Sequence, residues 1–169
     1  MALYALGVAI GEGSLRSEIK QTKPFPSRSD EALLGILKTA DELRRVAGRL
    51  LKKSGLSLEQ YNALRILRGA GERGLPTLDV AERMIERSPG ITRLLDKLEA
   101  KGYVKRMRCN KDRRLVYCLI TNEGREAIAP LDIELSAANE KRMTSLTPVE
   151  VDSLVQMLDR LRSSLRQME

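Results

Sequence analysis

Histidine is absent from this 169-residue chain, and cysteine occurs only at Cys109 and Cys118. Without histidine there is no Ser-His-Asp triad, no HExxH zinc site and no histidine-based pH switch. Two thiols are too few for a four-thiolate zinc site. A glycine-rich phosphate loop and a paired nucleophile and base are also missing. We therefore expect no enzyme, no metal site and no cofactor.

Aromatic residues are scarce as well, at 3% of the chain, so any core must be mainly aliphatic. The 42% apolar content is enough for one globular domain of this length. No apolar run approaches the roughly 20 residues that a bilayer-spanning helix needs. Residues 1–10 lack the basic start and the cleavage site of a signal peptide. We expect a cytoplasmic protein.

Positive charge is concentrated in one part of the chain. Residues 82–114 hold eleven Lys and Arg against five Asp and Glu, a net charge of +6, whereas the whole chain carries +7. Such a concentration is typical of a surface that binds a polyanion. A charge run can also be only a solvated face. The pattern of the same residues favours the first interpretation.

Residues 77–102 predict two short helices joined by a tight turn. Thr77 is the predicted N-cap of the first helix, which runs to Met84. Ser88 and Pro89 are the predicted N-cap and first position of the second helix, and Gly102 is its stop signal. Apolar residues recur there at three- and four-residue spacing, which gives the second helix one buried face. This outline matches a helix-turn-helix, whose second helix enters the DNA major groove.

A basic β-hairpin follows the second helix. Residues 103–108 and 115–120 are rich in β-branched and aromatic side chains, and residues 109–114 between them form a basic tip. This hairpin is the "wing" of a winged helix-turn-helix. Cys109 and Cys118 lie on opposite arms of it, so a disulfide is geometrically possible. Free thiols that pack in the strands are favoured in a reducing cytosol, although neighbouring Arg and Lys could activate either as a thiol switch.

Long amphipathic helices flank the winged segment. One begins near Ser27 or Ser29 and carries an almost continuous leucine-rich seam as far as Leu51. A capping box at Ser57 and Gln60 opens another helix, and a second box at Thr147 and Glu150 opens the last one. The fold class is mainly α with a small β-hairpin wing. We divide the chain into an extension (1–26), an N-terminal dimerisation helix (27–56), the winged helix-turn-helix (57–121) and C-terminal dimerisation helices (122–169).

In this order of elements the chain resembles the MarR family of bacterial transcription regulators. The likeness lies in residues 56–61 (Leu-Ser-Leu-Glu-Gln-Tyr), residues 93–106 from Arg93 to Arg106, residues 112–114 (Asp-Arg-Arg) and residues 119–124 (Leu-Ile-Thr-Asn-Glu-Gly). With the flanking helices it covers about residues 27–166. The resemblance implies a homodimer in which each subunit reads half of a palindromic site on double-stranded DNA. It departs from the redox-sensing branch, because no cysteine precedes Cys109.

The same resemblance gives the second helix of the helix-turn-helix to the major groove and Arg114 to the minor groove, with Asp112 orienting Arg114. Arg93 suits a bidentate contact with guanine, and Thr77 and Thr92 suit phosphate contacts. Pro89 and Gly90 leave few side chains for direct base readout. The predicted DNA-binding residues are Thr77, Ser88, Pro89, Gly90, Thr92, Arg93, Lys97, Arg106, Lys111, Arg113 and Arg114.

The resemblance also implies repression that a small aromatic or phenolic effector relieves. Arg44, Tyr61 and Arg65 are the candidate effector residues, although surface charge for the arginines and a core position for the tyrosine are favoured for each. The alternative function is a winged-helix module for protein–protein interaction, without sequence-specific DNA binding.

Overall fold

The computed structural model describes residues 14–86, 90–108 and 115–168. It divides the chain into two compact units, Met1–Val46 and Ala47–Glu169. The four-part division proposed above stays a prediction. The elements are α1 (Leu15–Glu18), α2 (Arg28–Lys52), α3 (Leu58–Gly69), a 3₁₀ turn (Gly71–Arg73), β1 (Leu75–Pro76), α4 (Thr77–Arg83), α5 (Ile91–Ala100), β2 (Val104–Arg108), β3 (Val116–Ile120), α6 (Asn122–Met143) and α7 (Pro148–Gln167).

The first unit contains a short helix that sequence patterns did not predict. Ser14 caps α1, because its hydroxyl accepts a hydrogen bond from the Ser17 amide at 3.4 Å. The Arg16 side chain then folds over the following loop and donates to the carbonyl oxygens of Gln21 (3.1 Å) and Thr22 (2.9 Å). Part of the segment assigned as an extension is therefore ordered by its own hydrogen bonds.

The second unit is built on a mainly aliphatic core, as the composition predicts. Helix α3 lies at its centre and contacts α4, α5, α6 and β3. The fully buried side chains include Leu64 and Leu67 of α3, Leu95 and Leu98 of α5, and Ile128 of α6. Tyr61 adds an aromatic ring to this cluster. The core thus holds the helix-turn-helix against the first half of α6.

Both predicted capping boxes are confirmed. The Ser57 hydroxyl accepts from the Gln60 amide at 3.2 Å, and the Gln60 side chain accepts from the Ser57 amide at 3.0 Å. Thr147 and Glu150 make the same exchange at the start of α7. Each box satisfies two amides that have no partner inside the helix. Helix α6 continues through Pro130 from Asn122 to Met143.

The three strands form one antiparallel sheet in the order β1-β3-β2. The hairpin strands agree with the prediction to within one residue. Strand β1 was not predicted, because two residues that include a proline give no alternating pattern. Cys118 stands in the middle of β3, paired with Leu75 on one side and Arg106 on the other.

The apolar seams on the long helices are substantially exposed within each unit. In the first unit, Leu33 and Leu37 of α2 are 48% and 66% exposed. In the second unit, α7 buries no residue at all, although its predicted stripe at Leu154, Leu158 and Leu161 is present. Among the described helices none has the length and apolar character that a bilayer crossing demands.

The start of α6 fits against the base of the wing only because residue 124 is glycine. A Cβ atom at Gly124 would clash with the carbonyl oxygen of Tyr103 and would lie 2.9 Å from Cγ1 of Ile120. We predict that Gly124→Ala lowers the free energy of unfolding by about 1–3 kcal/mol, since backbone must shift to make room. Urea denaturation at a fixed protein concentration measures this loss.

The matched control is Gly69→Ala. Residue 69 is also helical, but a Cβ atom there meets nothing within 4 Å. Alanine has the higher helix propensity, so this variant should be neutral or more stable by up to about 1 kcal/mol. Equal stability of the two variants would contradict the proposed close approach.

Candidate nucleic-acid interface

The helix-turn-helix consists of α4 and α5. Helix α4 starts at Thr77 itself, with Pro76 in the cap position, so the prediction that Thr77 is the N-cap was wrong by one residue. Proline at that position leads the chain out of β1 in an extended conformation and makes no side-chain cap. The described part of α5 begins at Ile91 with Gly90 as its cap. The predicted cap residues Ser88 and Pro89 lie outside the described residues.

The end of α5 is fixed by a Schellman motif, as the Gly102 signal predicts. Gly102 has a φ of 74° and its amide donates to the carbonyl of Glu99 at 2.8 Å. The Tyr103 amide donates to the carbonyl of Leu98 at 3.0 Å. These two bonds satisfy carbonyls at the helix end and turn the chain directly into β2.

Helix α5 has one apolar and one polar face. Ile91, Leu95 and Leu98 are buried in the core. The exposed residues of the helix are Thr92, Arg93, Asp96, Lys97, Glu99 and Ala100. In the part of the chain that the structure describes, neither Arg93 nor Lys97 has an ion-pair partner. The predicted contacts Thr92, Arg93 and Lys97 therefore share one solvent-facing surface, which we call the α5 outer face.

The described part of the wing carries two further exposed cations, shortly after α5 in the sequence. Lys105 and Arg108 of β2 are exposed, and so is Met107 between them. The predicted tip residues Lys111, Asp112, Arg113 and Arg114, together with Cys109, lie outside the described residues. Cys118 is a free thiol and is fully buried. Its Sγ atom lies 3.6 Å from the Thr77 hydroxyl, so the predicted phosphate contact Thr77 also touches the sheet.

Arg106, another predicted DNA contact, points toward α5. Its Nη1 atom donates to Asp96 at 2.6 Å and lies 3.6 Å from the Glu99 carboxylate, and its Nη2 atom donates to the Thr92 carbonyl at 3.1 Å. The side chain is only 23% exposed. Partial burial alone would lower the pKa of Arg106, but the hydrogen bond to Asp96 and the nearby acids outweigh it and raise the pKa.

Tyr61 and Arg65, two of the effector candidates, belong to a charged cluster between α3 and α6. The Tyr61 hydroxyl donates to Asp132 at 2.6 Å, and Arg68 donates to the other oxygen of Asp132 at 2.5 Å. Arg65 is more loosely held, 3.8 Å from Asp132, and lies over the Tyr61 ring. Arg65 and Arg68 also line an open depression with Asn62, Ile66 and Gly69.

The protonation of this cluster follows from its surroundings. Burial and the hydrogen bond to Asp132 raise the pKa of Tyr61 to about 12. Burial acts to raise the pKa of Asp132, but the hydrogen bonds from Arg68 and Tyr61 prevail and lower it. At neutral pH the cluster thus holds a neutral tyrosine, one carboxylate and two guanidinium groups. The third effector candidate, Arg44, is an exposed residue of α2 in the first unit.

Three residues that contact the predicted site residues were not singled out from the sequence: Asp96, Arg68 and Asp132. Asp96 and Arg68 gave no signal, because a charged residue on a helix surface needs no explanation. Asp132 did give one. It occupies an apolar spacing on α6 together with Ile128, Leu131 and Leu135, and a carboxylate at such a position needs a partner.

Comparison with known proteins agrees with this arrangement. A family model described as "Transcriptional regulator SarA/Rot" matches residues 45–131. The structure of a MarR transcription factor from Planctomyces limnophilus is 31% identical, covers 80% of this chain and 98% of its own, and superposes with a TM-score of 0.62. The chain therefore belongs to the MarR family of winged helix-turn-helix transcription regulators.

Two further solved structures share the fold. Sco3205, a MarR family regulator from Streptomyces coelicolor solved in complex with DNA, is 24% identical, with a TM-score of 0.73, and the match covers 85% of this chain and 92% of that one. NadR, solved in complex with 4-hydroxyphenylacetate, is 22% identical, with a TM-score of 0.66, and the match covers 82% of this chain and 97% of that one.

The charged cluster makes a prediction about pH and stability. Because the pKa of Asp132 is lowered by folding, its contribution is present above its ordinary pKa and is lost as the pH falls. We expect Asp132→Asn to cost about 1–3 kcal/mol at pH 7, since Arg68 and Tyr61 lose a charged acceptor. The variant should also lose less stability than the wild type between pH 6 and pH 3. Urea denaturation across this range tests both effects.

Asp159→Asn is the control for this experiment. Asp159 pairs with Arg162 one turn away on α7, and both side chains are more than half exposed. Exposed pairs of this kind contribute at most about 1 kcal/mol. A loss of stability as large as that of Asp132→Asn would show that the cluster has no special role.

Proposed function

We propose that this chain is a dimeric, sequence-specific double-stranded DNA-binding transcription regulator that acts as a repressor. The observation that carries the proposal is the α5 outer face. Its Arg93 and Lys97 project away from a core that holds the opposite face of the same helix. They lie on the second helix of the helix-turn-helix, which is the helix that enters the DNA major groove in this motif.

The dimensions of α5 suit the major groove. An α-helix with its side chains is about 10–12 Å across and the groove is about 12 Å wide, so the described helix α5 can lie in it. Arg93 lies near the N-terminal end, which is the end that contacts bases in a helix-turn-helix. Its planar guanidinium suits the two acceptors of guanine, whereas Lys97 and the Thr92 hydroxyl suit phosphate oxygens.

The wing extends the contact beyond the major groove. Lys105 and Arg108 on β2 lead toward the basic tip, where Lys111, Arg113 and Arg114 follow in the sequence. An arginine at a hairpin tip suits a narrow and electronegative minor groove. From the family resemblance we assign Arg114 to the minor groove and propose that Asp112 orients the Arg114 side chain. By the same resemblance Ser88, Pro89 and Gly90 face the major groove, and Thr77 is assigned to a DNA phosphate.

The exposed seams support a homodimer. A helix of 20 residues that buries none of them, with an apolar stripe along it, gains stability only when another surface covers that stripe. The seam on α2 offers a second such surface in the other unit. Two copies that cover these seams would hold two α5 outer faces at a fixed spacing, which a palindromic operator requires.

A small phenolic or aromatic effector is the third part of the proposal. NadR, a protein of the same fold, is described in complex with 4-hydroxyphenylacetate. In this chain the loosely held, 56% exposed Arg65 offers a cation that would suit a phenolic carboxylate. Tyr61 is buried in the core with its hydroxyl on Asp132, so in this proposal it supports Arg65 from below and offers no open ring surface. Arg44 keeps its place in the proposal as a further cation. The alternative, an interaction module for proteins, predicts binding to acidic partners without preference among DNA sequences.

Binding to the upstream region of its own gene tests the DNA contact. We expect Arg93→Ala to weaken specific binding by about 1–3 kcal/mol and to relax sequence preference, because a base contact is lost. Arg114→Ala should weaken binding as well. Binding should fall steeply with salt, since phosphate contacts release counterions. The measurement is fluorescence anisotropy with the upstream duplex and with a scrambled duplex of equal length.

Two results of this titration would refute the proposal. One is indifference to both substitutions, and the other is binding without salt dependence. The same titration with 4-hydroxyphenylacetate tests the effector. The wild type should lose affinity for the duplex when the compound is added, whereas Arg65→Ala should bind DNA equally with and without it.

The oligomeric state is a separate prediction. Light scattering at micromolar concentration should give about twice the chain mass of 18.9 kDa. Val155→Glu, at a half-exposed position of the α7 stripe, should shift the mass toward that of one chain, because a buried unpaired charge is costly. Circular dichroism should show that the variant stays helical. A wild-type mass near that of a single chain would contradict the dimer.

A further inference from the structure

We infer that Arg106 is a positioning residue that fixes α5 against the wing, and that it is not one of the cations that contact DNA phosphate. The inference rests on the proposed DNA-binding function and revises one member of its contact set. Arg106 was included in that set because it is a basic residue of a basic hairpin. The directions of its hydrogen bonds suggest another role.

The guanidinium of Arg106 contacts α5 at three points along one side of the helix. These are the Thr92 carbonyl, the Asp96 carboxylate and the Glu99 carboxylate, at 3.1, 2.6 and 3.6 Å. Residues 92, 96 and 99 are spaced by four and three, so they lie above one another on a single helix face. The buried apolar face already sets the rotation of α5 about its axis. A planar group held at three points along the adjacent side fixes the position of the helix along β2.

This contact leaves the guanidinium with little capacity for DNA. Both Nη atoms already donate to α5, and the Nε atom is buried without a hydrogen-bond partner. The neighbouring Asp96 and Glu99 also balance its charge locally. Each Nη atom keeps one further N–H, but the side chain is only 23% exposed, and the buried Nε removes the edge that it shares with an Nη from a bidentate phosphate contact. Its strand neighbours Lys105 and Arg108, by contrast, are exposed.

The other side of Arg106 connects to α4 through the sheet. Arg106 is paired with Cys118 on β3, and the Cys118 thiol is among the groups that raise the Arg106 pKa. The Cys118 sulphur lies 3.6 Å from the hydroxyl of Thr77, the first residue of α4. Contacts thus run from α5 through β2 and β3 to α4. Because Arg106 links α5 to β2 in this series, a movement of α5 relative to α4 would break the contacts of Arg106.

The two roles predict different DNA-binding behaviour. Removing a phosphate contact weakens binding to all duplexes and lowers the slope of log K against log salt by about 1. Removing a positioning residue leaves the number of released counterions unchanged. It weakens the specific complex, because α5 and the wing no longer meet their grooves together, and it spares non-specific binding.

The experiment compares Arg106→Gln with Lys97→Gln, a variant of an exposed cation on the α5 outer face. Both are titrated with the upstream duplex and the scrambled duplex from 50 to 200 mM salt, at a temperature where circular dichroism shows each variant folded. Arg106→Gln should lose about tenfold in specific affinity, the size of one lost base contact, with the wild-type salt slope and an unchanged affinity for the scrambled duplex. Lys97→Gln should lose affinity for both duplexes and lower the slope.

Two further variants identify the mechanism. Asp96→Asn should lower specific affinity as Arg106→Gln does. The double variant should bind no more weakly than the more weakly binding of the two single variants, since both remove the same contact. Arg106→Lys keeps the positive charge but lacks the planar guanidinium with its several donors. Its specific affinity should therefore lie between that of Arg106→Gln and that of the wild type. Hydrogen exchange should be faster in α5 and β2 of Arg106→Gln, and this readout applies even if Arg106→Gln must be studied without DNA.

Several results would overturn the inference. A salt slope lowered by about 1, with equal losses on both duplexes, would make Arg106 a phosphate contact. Unchanged specific affinity, or full rescue by lysine, would remove the positioning role. These outcomes all presuppose that the wild type prefers the upstream duplex. A wild type without that preference would instead refute the proposed function, and the inference with it.

Discussion

The burial of one face of α5 is the constraint on which the rest of the molecule depends. Leu95 and Leu98 are completely buried and Ile91 nearly so, and each such side chain contributes roughly 1.5–3 kcal/mol. This burial fixes which side of the helix faces outward. The α5 outer face is therefore defined by what the core holds, and its cations need no contacts of their own to be placed.

This arrangement gives a structural role to two acids of the basic segment, Asp96 and Glu99. Counted along the sequence, they only reduce the net charge of residues 82–114. In the fold, Asp96 and Glu99 both face Arg106, where they neutralise a guanidinium that is turned inward. Arg93 and Lys97, on the adjacent side of the helix, keep their charge available. On α5 the two acids that pair with Arg106 and the cations Arg93 and Lys97 thus occupy adjacent sides of the helix, although they alternate in sequence.

The sequence predicted those parts of the structure that depend on local physics. Helix periodicity and caps located α3, α5, α6 and α7, and strand composition located the hairpin. Local signals are strong there, because a capping box or a Schellman glycine acts within four residues. What was missed depends on distant partners. Strand β1 exists only because β3 lies beside it, and Asp132 meets Tyr61 and Arg68 from more than sixty positions away. Arg106 was likewise predicted to contact DNA from its charge alone, because the sequence does not show that its side chain points toward α5.

The junction between α5, the wing and α6 shows how the two proposed surfaces are connected. Gly102, which ends α5, accepts a hydrogen bond from the Thr121 hydroxyl at 2.7 Å, and Thr121 is the N-cap of α6. The Thr121 amide donates to Tyr103 at 3.0 Å, and Gly124 brings α6 against the same residue. The end of the proposed reading helix and the start of the helix that leads to α7 are therefore held by one small set of backbone contacts. If two copies pair through α7, any change in their separation would pass along α6 to this junction. A packed helix moves as a unit because its core neighbours do not yield gradually. In the proposed dimer the spacing of two α5 outer faces would then depend on the dimer contact itself, and the proposed effector near α3 and α6 would reach DNA affinity through it.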